Sequence, residues 1–251
     1  MSEVKEKIKR VASFLSEANS AVAFTGAGIS TESGIPDFRS PGGVWAQNTP
    51  VYFDEFLRSA DARYEYWRQK AQAHRDFAEA KPNAGHQALA AWETAGTLKG
   101  VITQNIDGLH QEAGSQNVLE LHGTARKIAC LDCEAEFEVE PLLTAFHESD
   151  AVPPCESCGG RLKHATVSFG QSLPQDVLAT AAKWSQQADV MLAIGSSLVV
   201  TPAADLPRVA KESGGRLVII TRDETPLDGI ADVVLNEPIG ATLQAIEETL
   251  R

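Results

Sequence analysis

No run of this 251-residue chain approaches the ~18 uninterrupted apolar residues of a membrane-spanning helix, so no membrane partner is expected. The opening stretch, MSEVKEKIKR, is charged and has no apolar centre, so it does not read as an export signal. The expected location is therefore the cytoplasm, where thiols stay reduced. Basic charge is scarce as well: 22 Lys and Arg face 34 Asp and Glu, for a formal net charge of -12. That balance argues against direct nucleic-acid binding through a broad basic face, and it suits a substrate with a local basic patch. The chain has no internal repeat and no low-complexity tract.

Cysteine is also sparse, and the four present fall in two pairs, Cys130-x-x-Cys133 and Cys155-x-x-Cys158. Two such knuckles can wrap four thiolates around one Zn²⁺. Four thiolates fill a tetrahedral shell and leave no position for water or substrate, so the ion reads as structural. The alternatives are unpaired core cysteines or a redox pair. The five histidines His74, His86, His110, His147 and His164 show no metal spacing and read as structural or exposed.

The rest of the chain alternates strands with helices. Val4, Ile8, Val11 and Leu15 recur at helical spacing over 3–18. Short apolar strands are predicted at 21–25, 100–104, 118–122, 189–195, 216–220 and 232–235. Helices are predicted over 52–80, from Pro82-Asn83 onward with Leu89, Trp92 and Ala95 inward, over 174–187, over 202–213 and at the C-terminus. This rhythm predicts an α/β fold, a Rossmann-like parallel sheet with helices on both faces. The cysteine region, about 127–166, interrupts it as an insertion.

Four strand ends carry chemistry. GAGIS after the first strand places Gly26 and Gly28 where a pyrophosphate could approach backbone amides, yet a dinucleotide fingerprint would want a third small residue at Thr31. Such corners also form for packing alone. TQNIDG at 103–108 brings Gln104, Asn105 and Asp107 to the end of a parallel strand, as a ligand site or as a polar loop capping a helix. His122 in ELHGT ends another strand and reads as a general base or a satisfied structural histidine. Gly195-Ser196-Ser197 repeats the strand-end pattern.

Taken in order, these elements together with Gly34-Ile35-Pro36-Asp37-Phe38-Arg39 and Phe169-Gly170 resemble the sirtuin family of NAD-dependent protein deacylases. The resemblance implies that residues 1–38, 82–126 and 166–251 form the Rossmann-like NAD-binding domain. Residues 39–81 would be a cofactor loop and helical module, and 127–165 a zinc-binding module, with the site between them. It implies NAD and one structural zinc as cofactors, and an acyl-lysine protein or peptide as substrate. Catalysis is assigned to His122, Asn105 and Asp107. The cofactor would meet Gly26, Ala27, Gly28, Ser30, Thr31, Phe38, Arg39, Gln104, Asn105, Ile106, Asp107, His122, Gly195, Ser196, Ser197, Thr221, Arg222 and Asp223. The peptide would meet Val167, Phe169, Gly170 and Val199, and the zinc Cys130, Cys133, Cys155 and Cys158.

Residues 30–45 are expected to form a flap over the nicotinamide ribose. The chain departs from the family pattern at Gln171, where many members have Glu, and at Thr221, where many have Asn. Desuccinylating members carry a Tyr-x-x-Arg pair for which Trp67 and Lys70 stand here, so neutral acyl groups are expected to be preferred. The expected reaction is NAD-dependent deacylation, with acetyl the expected acyl group. Mono-ADP-ribosyl transfer and a non-catalytic NAD-sensing, peptide-binding module are the alternatives.

Overall fold

The protein is described by a computed structural model covering residues 2–37, 43 and 49–250, with the side chains of 2 and 75–78 outside that description. The expected parallel sheet is present. Six strands, β1 (Ala21–Thr25), β2 (Gly100–Thr103), β3 (Val118–Glu120), β7 (Val190–Ile194), β8 (Arg216–Ile220) and β9 (Val233–Leu235), run parallel in the order β3-β2-β1-β7-β8-β9. Every residue of β1, β2 and β7 is buried, because helices cover both faces. Alternation along the strands divides the core: Ala21, Ala23, Leu192 and Ile194 join the cluster on one face, and Val22, Phe24, Met191 and Ala193 the cluster on the other.

The first face is covered by α1 (Ser2–Glu17), α4 (Ala84–Thr94) and α9 (Ile239–Leu250), which contribute Val11, Leu15, Leu89, Trp92, Leu243 and Ile246. The second is covered by α7 (Gln175–Gln187) and α8 (Leu206–Glu212), through Ala181, Leu206 and Ala210. Asn83 starts α4 by accepting hydrogen bonds from the amides of Gly85 and His86, as its residue type predicts. Ala95 is the exposed C-cap of that helix and not part of its inner side.

The segment read as one helix over 52–80 is two, α2 (Phe53–Arg58) and α3 (Ala60–Ala78). Ser59 between them is extended, and its Oγ accepts from the Ala62 amide, so it caps the second helix. The cysteine region folds as an antiparallel sheet in the order β5-β4-β6, from β4 (Gly123–Cys130), β5 (Glu136–Glu138) and β6 (Leu162–Thr166), with α6 (Val139–Ser149) against it. Phe56 and Trp67 from α2 and α3 pack into the same cluster as Ile128, Phe146 and Leu162, and the Trp67 indole donates to the Leu162 carbonyl at 3.0 Å. One small apolar core therefore serves both the helical pair and the cysteine region.

Candidate functional site

The ends of β1, β2 and β7 converge at the carboxyl edge of the sheet. The Gly26 amide donates to the Ile194 carbonyl at 3.0 Å and the Gly28 amide to the Gly195 carbonyl at 2.8 Å, so the two glycine turns are zipped together. A Cβ on Gly28 would lie 2.8 Å from the Gly195 Cα, and one on Gly195, at φ 62°, would lie 2.4 Å from the Ile29 nitrogen. Both glycines are thus demanded by backbone contact between the turns. The chain then runs into a 3-10 helix, Ala27–Ser33, in place of the α-helix of an ordinary dinucleotide turn. Thr31 donates its hydroxyl to the Gly28 carbonyl at 2.9 Å.

Ser30 is 1% exposed and joins the other two loops from behind. Its hydroxyl donates to Asp107 Oδ2 at 2.7 Å and accepts from Asn105 Nδ2 at 3.1 Å. His86, which the spacing argument had set aside as structural, approaches the same oxygen at 3.5 Å through Nε2. The Asn83 amide donates to His86 Nδ1, so Nε2 carries the proton and donates to Ser30. Asp107 Oδ1 accepts from the Leu109 amide at 2.9 Å, and Thr103 Oγ1 accepts from the Asn105 amide at 3.0 Å. Asn105 and Asp107 are 7% and 4% exposed, so each is held in one orientation by protein partners. The contact of His86 with Ser30 joins residues 56 positions apart and left no periodic trace; only its Asn-x-x-His capping spacing was visible.

His122 is half-buried at the start of the segment feeding β4. Its Nδ1 lies 2.9 Å from the Gln104 carbonyl, which can only accept, so Nδ1 is protonated and Nε2 is the free base. Burial pushes the His122 pKa down, and the Gln104 hydrogen bond acts against that shift. Gln104 is fixed in turn, since Ser196 donates to its Oε1 at 2.7 Å. The Val167 amide donates to the His122 carbonyl at 2.8 Å, which ties the segment after β6 to the same histidine.

These groups face a cleft of about 1130 Å³. Gly26, Ala27, Gly28 and Thr31 line it from the first turn, Gln104, Asn105, Ile106 and His122 from the middle, and Gly195, Ser196 and Ser197 from the third loop. Thr221, Arg222 and Asp223 lie at its far end, where Asn236, unremarked in the sequence, donates to the Thr221 carbonyl at 3.0 Å. Val167, Phe169, Gly170 and Gln171 form another wall. Phe169 is 38% exposed and stacks with Tyr52 at 5.8 Å between ring centroids; its carbonyl accepts from the Phe53 amide at 2.9 Å. Ser30 and Asp107 lie behind the cleft wall, and Val199 is half exposed next to the lining residue Val200. Phe38, Arg39 and residues 40–42, 44 and 45 of the expected flap lie outside the described residues. Trp67 turns into the small core, while Tyr66 and Lys70 line the cleft, with the Lys70 ammonium 5.6 Å from the Tyr66 ring centroid.

The four cysteine sulfurs all lie within 4.8 Å of one another. Cys130 and Cys158 sulfurs are 3.6 Å apart, and Cys133 and Cys155 sulfurs 3.8 Å. Four thiolates at ~2.3 Å from a central zinc sit ~3.8 Å from each other in a tetrahedron, so the donor set fits that ion. Amides of Asp132 and Gly160 donate to the Cys130 and Cys158 sulfurs, as expected of sulfurs carrying negative charge.

A model of the Sir2 family matches residues 26–202. A protein of Rhodopseudomonas palustris named "NAD-dependent protein deacetylase" is 48% identical over 94% of each chain. One of the same name from Sulfolobus acidocaldarius is 44% identical, over 93% of this chain and 91% of that one. Among solved structures, one described as "Sir2-p53 peptide-NAD+" superposes with a TM-score of 0.88 at 41% identity, covering 96% of this chain and 97% of that chain.

Proposed function

We infer the function from one premise: this chain belongs to the Sir2 family, and it is an NAD-dependent protein deacetylase acting on acyl-lysine proteins or peptides. The observation that carries the residue assignment is the His122–Gln104 hydrogen bond, which leaves Nε2 as a base beside the cleft. NAD⁺, when bound, supplies an activated ribose carbon from which nicotinamide departs, and its ADP-ribose carries the acyl group away.

His122 takes a proton at Nε2 from a ribose hydroxyl. Asn105 and Asp107 are assigned to the carboxamide end, Asn105 at the cleft wall and Asp107 from behind it through Ser30, and Gln104 orients the ribose. The Gly26–Gly28 turn and Gly195–Ser197 face the phosphates, with Thr31 beside them. Thr221, Arg222 and Asp223 take the adenosine end, and Phe38 and Arg39 belong to the flap. Phe169, Gly170, Val167 and Val199 border the peptide, which adds to the protein as an extended strand. The four cysteines hold one structural zinc, outside the reaction.

On this reading residues 1–38, 82–126 and 166–251 form the NAD-binding domain, with the modules 39–81 and 127–165 closing the cleft. Among the described residues no helix is long and apolar enough to cross a membrane. Four thiols poised for zinc suit a reducing compartment, which supports the cytoplasm as location. ADP-ribosyl transfer and a purely binding role are not favoured, since the relatives are named as deacetylases.

An acyl-lysine peptide panel incubated with NAD⁺ and read by mass tests the reading. The expected products are free nicotinamide, deacylated peptide and acyl-ADP-ribose; a peptide that gains ADP-ribose would overturn it. Acetyl-lysine is expected to react faster than succinyl-lysine, because Lys70 offers one ammonium already stacked on Tyr66 and no two-pronged donor.

A further inference from the structure

The loop that carries Asn105 and Asp107 is gripped on its outer side by β4. The Ala125 amide donates to the Ile106 carbonyl at 2.8 Å, and Arg126 Nε donates to the Asp107 carbonyl at 2.7 Å. The aliphatic part of Arg126 covers Gly108, whose φ is 74°; a Cβ there would lie 3.2 Å from Arg126 Cγ. The other end of the guanidinium faces Glu112 at 3.6 Å, and Glu112 pairs with Lys81 at 3.0 Å. Two successive carbonyls of the loop are therefore tied to two successive residues of one strand. The Arg126 side chain is 41% exposed, so the tie lies on the surface and not in the core.

We propose that Arg126 is a positioning residue that sets the affinity of the nicotinamide end of the cleft by fixing the peptide plane between Asp107 and Gly108. The Asp107 carboxylate has its own partners, Ser30 and the Leu109 amide, and those fix only the side chain. Where the side chain sits depends on its backbone, and Arg126 holds that backbone through a charge-assisted bond. Loss of the guanidinium lets the loop relax without leaving a buried unpaired charge. The effect should be felt by ligands that reach this loop and not by ligands confined to the phosphate and adenosine end. The inference rests on the assignment of Asn105 and Asp107 to nicotinamide.

The test measures equilibrium binding of NAD⁺, nicotinamide and ADP-ribose to the wild type, Arg126→Met, Arg126→Lys and Glu112→Gln. For Arg126→Met, nicotinamide and NAD⁺ should each weaken about three- to tenfold, with ADP-ribose binding and melting temperature unchanged. Arg126→Lys keeps a donor that can reach the Asp107 carbonyl and should recover much of the loss. Glu112→Gln releases only the outer arm and should have the smallest effect. Unchanged nicotinamide affinity in Arg126→Met, or an equal fall for all three ligands, overturns the proposal. Binding needs no turnover, so these outcomes are separate from failure of the deacylase reading, which the peptide panel detects.

Discussion

The six-stranded sheet and the small antiparallel module keep their shape by different means. In the sheet, specification is spread over dozens of buried side chains on two faces, with β1 and β7 buried along their whole length. The module has three short strands, one apolar cluster shared with α2 and α3, and four thiols at its tip. A unit so small buries too little area to hold itself. Its fold depends on a few residues, and the sheet's on none in particular. The cleft is lined mostly by loops at the sheet's edge, with Thr166 of β6 and Tyr66, Gln69 and Lys70 of α3 on its other side, so part of its wall rests on the smaller core.

Removing the zinc should break this contrast most severely. Structural zinc contributes about 10–16 kcal/mol in apparent terms in small zinc-dependent folds, against a total stability of about 5–15 kcal/mol for an ordinary domain. Chelation, or Cys155→Ser, is expected to abolish deacylation and to raise amide exchange across β4 and β6 toward that of an unfolded chain. Strands β7 and β8 should stay protected. Equal protection of both regions, with metal loss verified by analysis, would show that the thiolates are dispensable.

The two regions were also legible to different depths. Strands β1, β7 and β8 stand out because a strand buried on both faces needs a run of apolar residues, four or five long in each, and the paired cysteines stand out by spacing alone. Strands β4 to β6 did not, because a module this thin has few inward positions: Ile128, Cys130 and Leu162 lie among exposed polar residues such as Arg126 and Glu136. The site divides in the same way. Gln104, Asn105 and His122 could be read from their strand ends, whereas Ser30 as the hub of Asn105 and Asp107, His86 behind it, and Asn236 beside Thr221 depend on contacts between distant residues. Local patterns carry no information about such pairings. The break at Ser59 rests on a single capping hydroxyl, a weaker local signal than the apolar positions that read as one helix over 52–80.

A second prediction separates chemistry from architecture. His122→Ala should lower deacylation about 10²- to 10⁴-fold while NAD⁺ binding persists, because the loss is of a base and not of a fold. Wild-type kcat/KM should rise with pH as His122 becomes neutral. Since burial lowers its pKa, that rise should be centred below the ~6.5 of an ordinary histidine. A rise centred above that value would mean that another group limits the reaction. Turnover by His122→Ala at the wild-type rate would remove the histidine from the mechanism.

The smallest effect, and the one that compares the two regions most directly, comes from two buried histidines. His110 lies behind the cleft in the sheet domain, with Nε2 against Thr25 and Nδ1 unpartnered. His164 lies on β6 with both ring nitrogens unpartnered, facing Lys70, Lys163 and His74. Burial holds each at about 3, helped by the neighbouring cations for His164 and by His86 for His110. Each is neutral in the fold and takes up a proton on unfolding below ~6.5. The unfolded chain thus binds more protons between these two values, so this stability is complete above ~6.5 and is lost as pH falls. Each histidine contributes a slope of up to about 1.4 kcal/mol per pH unit. His164→Phe keeps an aromatic ring beside Tyr66 and Trp67 without a titrating group. Comparing exchange protection at pH 7 and pH 5, that variant should flatten the acid loss in β4 and β6, and His110→Gln should flatten it in β1 and β2. If either variant flattened both regions equally, the module and the sheet would be opening as one unit, and the contrast between them would hold for composition but not for stability.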